Sequence, residues 1–313
     1  MQEPKYTYEQ GELYCGDVLE QLGYLDDGSV DCVVTSPPYF GLRDYGMDGQ
    51  IGLEKTPQDF VESMVRVFRE IHRVLKDDGT VWLNLGDSYN GSGGAGGDYN
   101  KGGLKEGQPR YKGRNVPSLK RKDLIGIPWR VAFALQDDGW YLRQDIIWHK
   151  PNPMPESVRD RCTKAHEYIF LLTKKPKYFF DNVAIKEPAK NWGTRNRDNM
   201  RNGTKDPKLK HHGLKGKEWE ENPKRNKRSV WFMATRSYKG AHFATFPPKL
   251  IEPCILAGCP EDGVVLDPFI GSGTTAVVAM QNNRRFIGID LNPEYLKLAD
   301  DRIRSEMVNI KEA

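Results

Sequence analysis

The sequence predicts an α/β fold in which a mostly parallel sheet carries helices on both faces. Short apolar, β-branched runs alternate along the chain with longer stretches whose apolar residues recur every three or four positions. These are the patterns of buried strands and of amphipathic helices. Two of the strand-like runs lead into Pro- or Gly-rich motifs, at residues 35–39 and 267–275. Open α/β sheets bind ligands beyond the carboxyl ends of their strands, so both motifs are expected at one binding edge.

The first half of the chain supplies strands and helices in turn. A β-branched run at 29–35 ends at a Pro-Pro pair, which a strand interior does not tolerate. Thr56 and Pro57 then begin an amphipathic helix that is expected to stop near Gly79. A Gly-rich segment at 86–116 is expected to form a mobile loop. The remaining predicted elements of this half are a strand at 80–85, a helix at 127–135 and strands at 141–148 and 166–172.

The second half begins with a break in this alternation. Residues 186–228 hold 14 Lys and Arg against 6 Asp and Glu, in a chain of net charge +4. A basic segment rich in Asn and Gly suits a polyanion such as nucleic acid, although charge runs are commonly only solvated surface. The predicted elements then resume as a helix at 248–257, a strand at 263–267, a helix at 274–281, a strand at 285–290 and a helix at 293–307.

Composition limits the class of protein. A chain of 313 residues is long enough for one catalytic domain and a smaller module. Its five cysteines form no C-x-x-C pair, which argues against a structural zinc site and a secreted disulfide scaffold. No apolar run approaches the roughly 18 residues of a membrane span. We therefore expect a soluble cytoplasmic protein with no metal site.

Residues 267–275 have the features of a nucleotide-binding turn. A buried run delivers Asp267, Gly271 and Gly273 let the backbone approach a ligand, and Asp290 ends the next predicted strand. A carboxylate about 20 residues after such a turn binds ribose hydroxyls, and this spacing is compatible with either NAD or S-adenosylmethionine (AdoMet) as the cofactor. The sequence Phe-Ile-Gly-Ser-Gly departs from G-x-G-x-x-G, and no Lys follows Gly273, which excludes a phosphate-binding P-loop.

Two motifs together resemble those of the DNA amino-methyltransferases. Asp-Pro-Phe-Ile-Gly-Ser-Gly-Thr-Thr at 267–275 is similar to their AdoMet-binding motif, and Thr-Ser-Pro-Pro-Tyr at 35–39 is similar to their catalytic motif. The motif order, with the catalytic motif first and the AdoMet motif last, resembles the circularly permuted β class. The resemblance implies the Rossmann-like fold of AdoMet-dependent methyltransferases, with a catalytic domain at 1–185 and 229–313 and a target-recognition region at 186–228.

The resemblance also implies roles for individual residues. Asp17, in Tyr-Cys-Gly-Asp, would accept a hydrogen bond from the cofactor adenine amine, and Phe246, in the 242–248 segment, would pack near the methionine moiety. The block at 144–152 resembles the one preceding target recognition and would bring Trp148, Lys150 or Asn152 to the base pocket. The implied cofactor-binding set is Asp17, Thr35, Phe246, Asp267, Pro268, Phe269, Gly271, Gly273, Thr274, Thr275 and Asp290, and the implied catalytic set is Ser36, Pro37, Pro38 and Tyr39.

The catalytic motif has a chemical rationale. An exocyclic amine is a poor nucleophile because its lone pair is delocalised into the base ring. Hydrogen bonds accepted by the Ser36 hydroxyl and the Pro37 carbonyl would draw the amine towards sp³ geometry, with the prolines fixing that carbonyl. Tyr39 would stack on the base after it has been rotated out of the duplex.

The first residue of this motif bears on the target. In the resembled family, serine there is associated mainly with N4-methylation of cytosine and aspartate mainly with N6-methylation of adenine, so Ser36 favours cytosine and leaves adenine as the alternative. Pro253-Cys254 reproduces the nucleophile dipeptide of C5-cytosine enzymes. It falls inside a predicted helix, so we interpret Cys254 as a core residue.

The sequence thus predicts a sequence-specific methyltransferase that uses AdoMet and double-stranded DNA. Such enzymes occur in prokaryotes and phages, either with restriction–modification systems or alone. We expect a monomer or a homodimer, and a cognate restriction endonuclease would not need to form a stable complex with this chain. Two other classes stay open. One is a methyltransferase of RNA or of a protein amide, and the other is a DNA-binding module without activity.

Overall fold

A computed structural model describes residues 3–91, 116–189, 224–235 and 246–312. Its strands are β1 (Tyr6–Tyr8), β2 (Gly11–Cys15), β3 (Val30–Thr35), β4 (Leu75–Leu85), β5 (Tyr141–His149), β6 (His166–Thr173), β7 (Glu187–Pro188), β8 (Lys224–Arg225), β9 (Val230–Phe232), β10 (Val264–Asp267) and β11 (Arg285–Asp290). Its helices are α1 (Val18–Gly23), α2 (Pro57–Val74), α3 (Ile127–Asp137), α4 (Pro248–Gly258), α5 (Thr274–Gln281) and α6 (Pro293–Glu312).

The main sheet of the described chain contains nine strands in the order β1-β2-β11-β10-β3-β4-β6-β5-β9. Strands β2, β11, β10, β3 and β4 run parallel to one another, whereas β6 is antiparallel to both β4 and β5. The predicted fold is therefore confirmed, as a mixed sheet that is parallel through its centre. The late strands β10 and β11 lie between the early strands β2 and β3.

Both faces of the sheet are covered, because successive strand residues point to opposite sides. On β3, Val33 packs into a core with α1, α2 and α3, while Cys32 and Val34 pack into a second core with α4, α5 and α6. Every residue of β3 is buried, as a central parallel strand requires. The three-layer arrangement leaves the strand ends as the accessible edges of the sheet.

Helix α2 begins where the sequence indicates. The Thr56 hydroxyl accepts a hydrogen bond from Asp59 N at 3.1 Å, and the Asp59 carboxylate accepts one from Thr56 N at 3.1 Å, which forms a capping box. The helix ends at Val74, earlier than the predicted stop near Gly79, and strand β4 begins at Leu75. The chain enters the strand early because Val30 of β3 already pairs with Leu75.

The segments expected to interrupt the fold are described only at their ends. Of the Gly-rich segment, residues 92–115 lie outside the described residues, but Asn90 is fully buried and its Nδ2 donates to the carbonyls of Val116, Leu119 and Lys120. Both ends of that segment are therefore ordered and joined. Most of the basic region, at 190–223, also lies outside the described residues, and strands β7 and β8 pair antiparallel on either side of it.

Within the described ranges, no helix is long and apolar enough to cross a membrane.

Candidate active site

The predicted site motifs meet at one edge of the sheet. Strands β2, β3, β10 and β11 are parallel, so Asp17, Ser36, Asp267 and Asp290 follow or end neighbouring strands at the same edge. These residues border a cleft of about 1210 Å³, its open mouth included. Residues more than 200 positions apart in the chain therefore border one cleft, at the edge of the sheet where both sequence motifs are expected.

Asp267 joins the two motifs. Its Oδ1 accepts hydrogen bonds from Thr35 Oγ1 at 2.8 Å and from Phe269 N at 3.1 Å, and its Oδ2 accepts one from Thr275 Oγ1 at 2.6 Å. Asp267 is only 2% exposed, and this burial raises the pKa of its carboxyl group to about 6 despite the three hydrogen bonds that favour the charged form. Asp267 thus fixes the position of the 35–39 motif relative to the 267–275 turn.

Asp290 holds the other side of the same turn. Its Oδ2 accepts a hydrogen bond from Gly271 N at 2.9 Å and its Oδ1 accepts one from Asn292 N at 2.8 Å. Burial raises the pKa of this carboxyl to about 6, the backbone bonds oppose the shift, and the neighbouring Asp267 adds to it. A carboxylate at the end of a strand beside a glycine turn suits ribose hydroxyls.

The turn depends on a glycine at the start of α5. Gly273 has a φ of 77°, in the left-handed region, and a Cβ added there would lie 3.0 Å from Ala299 Cβ on α6. Arg302, also on α6, donates to Thr274 Oγ1 at 2.8 Å and to the Ser272 carbonyl at 3.2 Å. Helix α6 therefore fixes the shape of the turn from behind.

Most of the predicted cofactor-binding residues line the cleft, and three lie behind it. The cleft wall includes Asp17, Phe246, Asp267, Pro268, Phe269, Gly271, Thr274 and Asp290. Thr35, Gly273 and Thr275 are not in the wall, and the hydrogen bonds of Thr35 and Thr275 to Asp267 show that they support it. Of the segment 242–248, residues up to 245 lie outside the described residues.

Asp17 has a structural role that the sequence analysis does not predict. Its Oδ1 accepts hydrogen bonds from Leu19 N at 2.9 Å and Glu20 N at 3.2 Å, so it is the N-cap of α1. The same carboxylate borders the cleft. A single side chain therefore caps a helix and also borders the cleft.

The loop after the 35–39 motif forms the facing wall of the cleft. The sequence analysis does not predict this loop. Gly41 N donates to Gly52 O at 2.7 Å, which closes the neck of an Ω-like loop. Residues from this loop border the cleft, and the Tyr45 ring meets the Tyr295 ring of α6 edge-on at 5.9 Å between centroids. Tyr45 N also donates to Gln50 Oε1 at 2.7 Å, so the loop is held by its own side chains.

A polar network surrounds the 35–39 motif. Ser36 Oγ lies 3.4 Å from Tyr39 OH, which donates to Glu167 Oε2 at 2.8 Å and lies 3.2 Å from Asn84 Oδ1. Burial and the neighbouring Glu167 hold the pKa of Tyr39 well above its usual value, so its hydroxyl keeps its proton. Ser36, Pro37, Pro38 and Tyr39 all border the cleft.

The block at 144–152 reaches the network through one residue. The Lys150 ammonium pairs with Glu167 Oε1 and lies 4.2 Å above the centre of the Trp148 ring. Trp148 itself is buried and donates to the Met233 carbonyl at 2.8 Å, as a core residue does. Asn152 exchanges two hydrogen bonds with the backbone of Thr235.

Cys254 lies in the core of the protein. It is 1% exposed within α4, and its thiol contacts the Leu250 carbonyl at 3.8 Å. Burial raises the pKa of this thiol far above its usual value, which disfavours the thiolate that a nucleophile requires.

Comparison with known proteins identifies the family. The model of the DNA methylase family N6_N4_Mtase matches residues 30–301. The chain belongs to this DNA methylase family. The methylase is 49% identical over 300 residues to the Type II methyltransferase M.XycI of Xanthomonas campestris pv. cyanopsidis, a match that covers 95% of this chain and 89% of the relative.

Solved structures confirm the fold. The PvuII DNA methyltransferase, which is cytosine-N4-specific, superposes with a TM-score of 0.65 at 20% identity and covers 96% of this chain and 88% of its own. The Thermus thermophilus protein TTHA0409, solved with S-adenosyl-L-methionine, superposes with a TM-score of 0.56 at 25% identity over 94% and 95% of the two chains. The methylase is therefore a DNA methyltransferase of the N6/N4 type with an AdoMet-methyltransferase fold.

Proposed function

We propose that this methylase transfers a methyl group from AdoMet to the N4 amine of cytosine in duplex DNA, after rotating the base out of the helix. The observation that carries the proposal is the placement of Ser36 on the same cleft as Asp17, Asp267 and Asp290. A site that joins an amine-accepting motif to a nucleotide-binding turn suits direct methyl transfer. The methylase family and the Type II methyltransferase relatives support DNA as the substrate.

The cleft has the chemistry that AdoMet requires. AdoMet carries an adenine, ribose hydroxyls and a cationic sulfonium, and it supplies a methyl group activated by that positive charge. Asp290 would accept hydrogen bonds from the ribose hydroxyls, and Asp17 would accept one from the adenine amine. The aromatic rings of Tyr45, Phe246 and Phe269 form an apolar part of the cleft wall. TTHA0409, which was solved with S-adenosyl-L-methionine, shares the fold and supports this assignment.

The roles of the catalytic motif follow from the chemistry of an amine. Ser36 Oγ and the Pro37 carbonyl accept its two hydrogen bonds, which restores the lone pair and orients it. Pro37 is buried and Pro38 is half-buried within the motif, so the backbone that presents this carbonyl is held in place. Tyr39, whose hydroxyl is fixed by Glu167, would present its ring to the base.

Cytosine is favoured over adenine by the serine at position 36. The resemblance in motif associates serine there with N4-cytosine transfer, and the PvuII methyltransferase of the same fold is described as cytosine-N4-specific. N6-adenine transfer would use the same hydrogen bonds and is the second candidate.

The deciding experiment is mass spectrometry of nucleosides from plasmid DNA incubated with AdoMet and the protein. The wild type is expected to produce N4-methylcytosine, and Ser36→Ala is expected to produce none. If N6-methyladenine is found instead, the target base is adenine and the proposed site and reaction remain valid. If no DNA is modified while RNA or protein is, or if AdoMet does not bind, the proposed function is wrong.

A further inference from the structure

A chain of hydrogen bonds leads from the catalytic serine to a carboxylate inside the protein. Ser36 Oγ donates to Tyr39 OH at 3.4 Å, and Tyr39 OH donates to Glu167 Oε2 at 2.8 Å. The first link is long for an O–H···O bond, as hydrogen bonds of catalytic groups commonly are before the substrate binds. Both hydroxyls therefore point along one path, and the path ends at a group that can take up a proton.

The carboxylate is held so that one oxygen faces Tyr39. Lys150 Nζ pairs with Oε1 of Glu167, and Asn84 Nδ2 lies 3.4 Å from Oε2. The side chains of Lys150 and Glu167 are only 18% and 15% exposed. This enclosure limits the access of bulk water to Glu167, and the contacts of Lys150 and Asn84 fix the orientation of its carboxyl group.

The backbone directly after β4 leaves no spare room around this path. A Cβ added to Gly86 would lie 2.5 Å from Tyr39 Cε2 and 3.3 Å from Glu167 Oε1. The position directly after β4 therefore has to be glycine for Tyr39 and Glu167 to meet as they do. Tyr39, Glu167 and Gly86 fit together as one packed unit beside Ser36.

Methyl transfer to an amine creates a need for such a path. The nitrogen lone pair forms the new N–C bond while the methyl–sulfur bond breaks and its electrons stay on sulfur, which leaves the nitrogen positively charged with a surplus proton. We propose that Glu167 receives this proton through Tyr39 and Ser36, an inference that rests on the function proposed above.

The proton transfer balances without any further reactant. The surplus proton passes from the amine to Ser36 Oγ, the Ser36 proton passes to Tyr39 OH, and the Tyr39 proton passes to Glu167. The products are a neutral methylated amine and a neutral carboxyl group. Glu167 acts through the two hydroxyls and does not contact the base, so it is a positioning and proton-accepting residue.

Asp267 does not provide a second path. Its oxygens accept hydrogen bonds from Thr35, Thr275 and Phe269 N, none of which leads to Ser36 Oγ among the described contacts. Glu167 is the acid that the described hydrogen bonds connect to the catalytic hydroxyl.

The test compares Glu167→Gln, Tyr39→Phe and the double variant in single-turnover methylation of a duplex that carries a site mapped on plasmid DNA. Gln keeps the size of Glu167, and Phe keeps the ring of Tyr39. Asp138→Asn is the matched control, because this carboxylate pairs with Arg69 after α3, at the opposite edge of the sheet. AdoMet binding is measured by calorimetry, and base rotation by the fluorescence of 2-aminopurine at the target position.

We expect each single variant to lower the methylation rate about 100-fold, in the range of proton-transfer catalysis. The double variant should be no slower than either single variant, because both interrupt one path. AdoMet affinity and the 2-aminopurine signal should stay within about twofold of the wild type, since neither depends on proton transfer. The control should match the wild type.

Three results would overturn the proposal: a wild-type rate in Glu167→Gln, rate losses that multiply in the double variant, or losses explained by weaker AdoMet binding or base rotation. The last result would show that Glu167 only supports the fold. A wild-type protein that methylates no DNA would instead refute the proposed function.

Discussion

Replacing Thr275 with valine tests the connection between the two motifs. Valine keeps the shape of threonine but removes the hydroxyl that donates to Asp267 Oδ2 at 2.6 Å. Asp267 is only 2% exposed, so water has little access to replace the lost donor. A hydrogen bond to a charged group contributes about 1.5–3 kcal/mol, and we expect the free energy of unfolding to fall by about that amount where Asp267 is ionised.

The pH dependence of this loss follows from the pKa of Asp267, which burial raises to about 6. The Thr275 bond favours the charged form, so its loss raises that pKa further and removes more stability above the pKa than below it. At about pH 5 the folded protein carries a neutral Asp267, and the loss should shrink to about 0.5–1.5 kcal/mol.

Urea denaturation of the wild type and Thr275→Val at about pH 8 and about pH 5 measures both values. Thr7→Val, at an exposed position of β1, is the control and should change stability by less than about 0.5 kcal/mol. An equal loss at the two pH values would refute the assignment of Asp267 as a buried, ionised acceptor.

Further predictions concern the cofactor, the basic region and α2. AdoMet binding should strengthen between about pH 5 and 7, because Asp290 has a pKa raised to about 6 and must lose its proton to accept ribose hydroxyls; calorimetry should show weaker pH dependence in Asp290→Asn. Replacing residues 191–222 by a short Gly-Ser linker should leave AdoMet affinity unchanged but weaken DNA binding and flatten its salt dependence, measured by fluorescence anisotropy; unchanged DNA binding would exclude the region from the interface. Thr56→Ala should lower the free energy of unfolding by about 1 kcal/mol, since it removes the capping box of α2, and an unchanged urea midpoint would contradict this.

The sequence predicts the elements whose signals are local. Helix α5 and strand β11 have the predicted bounds, because a glycine turn precedes the first and a compact apolar run forms the second. The Thr56 capping box is equally local. Strands β1 and β9 were missed because each has only three residues, too few to show a period, and depends on pairing with a neighbour.

The sequence predicts the two motifs that border the cleft but not the residues that surround them. The motif at 35–39 and the turn at 267–275 are contiguous patterns, so the sequence shows them directly. Glu167 and the Tyr45–Tyr295 contact depend on how β6, the 41–52 loop and α6 come together, and no single segment reveals that arrangement. A short run of Gly-rich sequence after the catalytic motif was the available signal for the loop.

The strand order also has a consequence for how the protein reaches its active form. The last two strands in the chain, β10 and β11, enter between β2 and β3, which are among the first. Until they are synthesised, β2 and β3 present unpaired backbone edges that favour aggregation or chaperone binding. Contacts so distant in sequence make folding slow. A nascent chain that stops before residue 264 would therefore lack both the centre of its sheet and any means of modifying DNA.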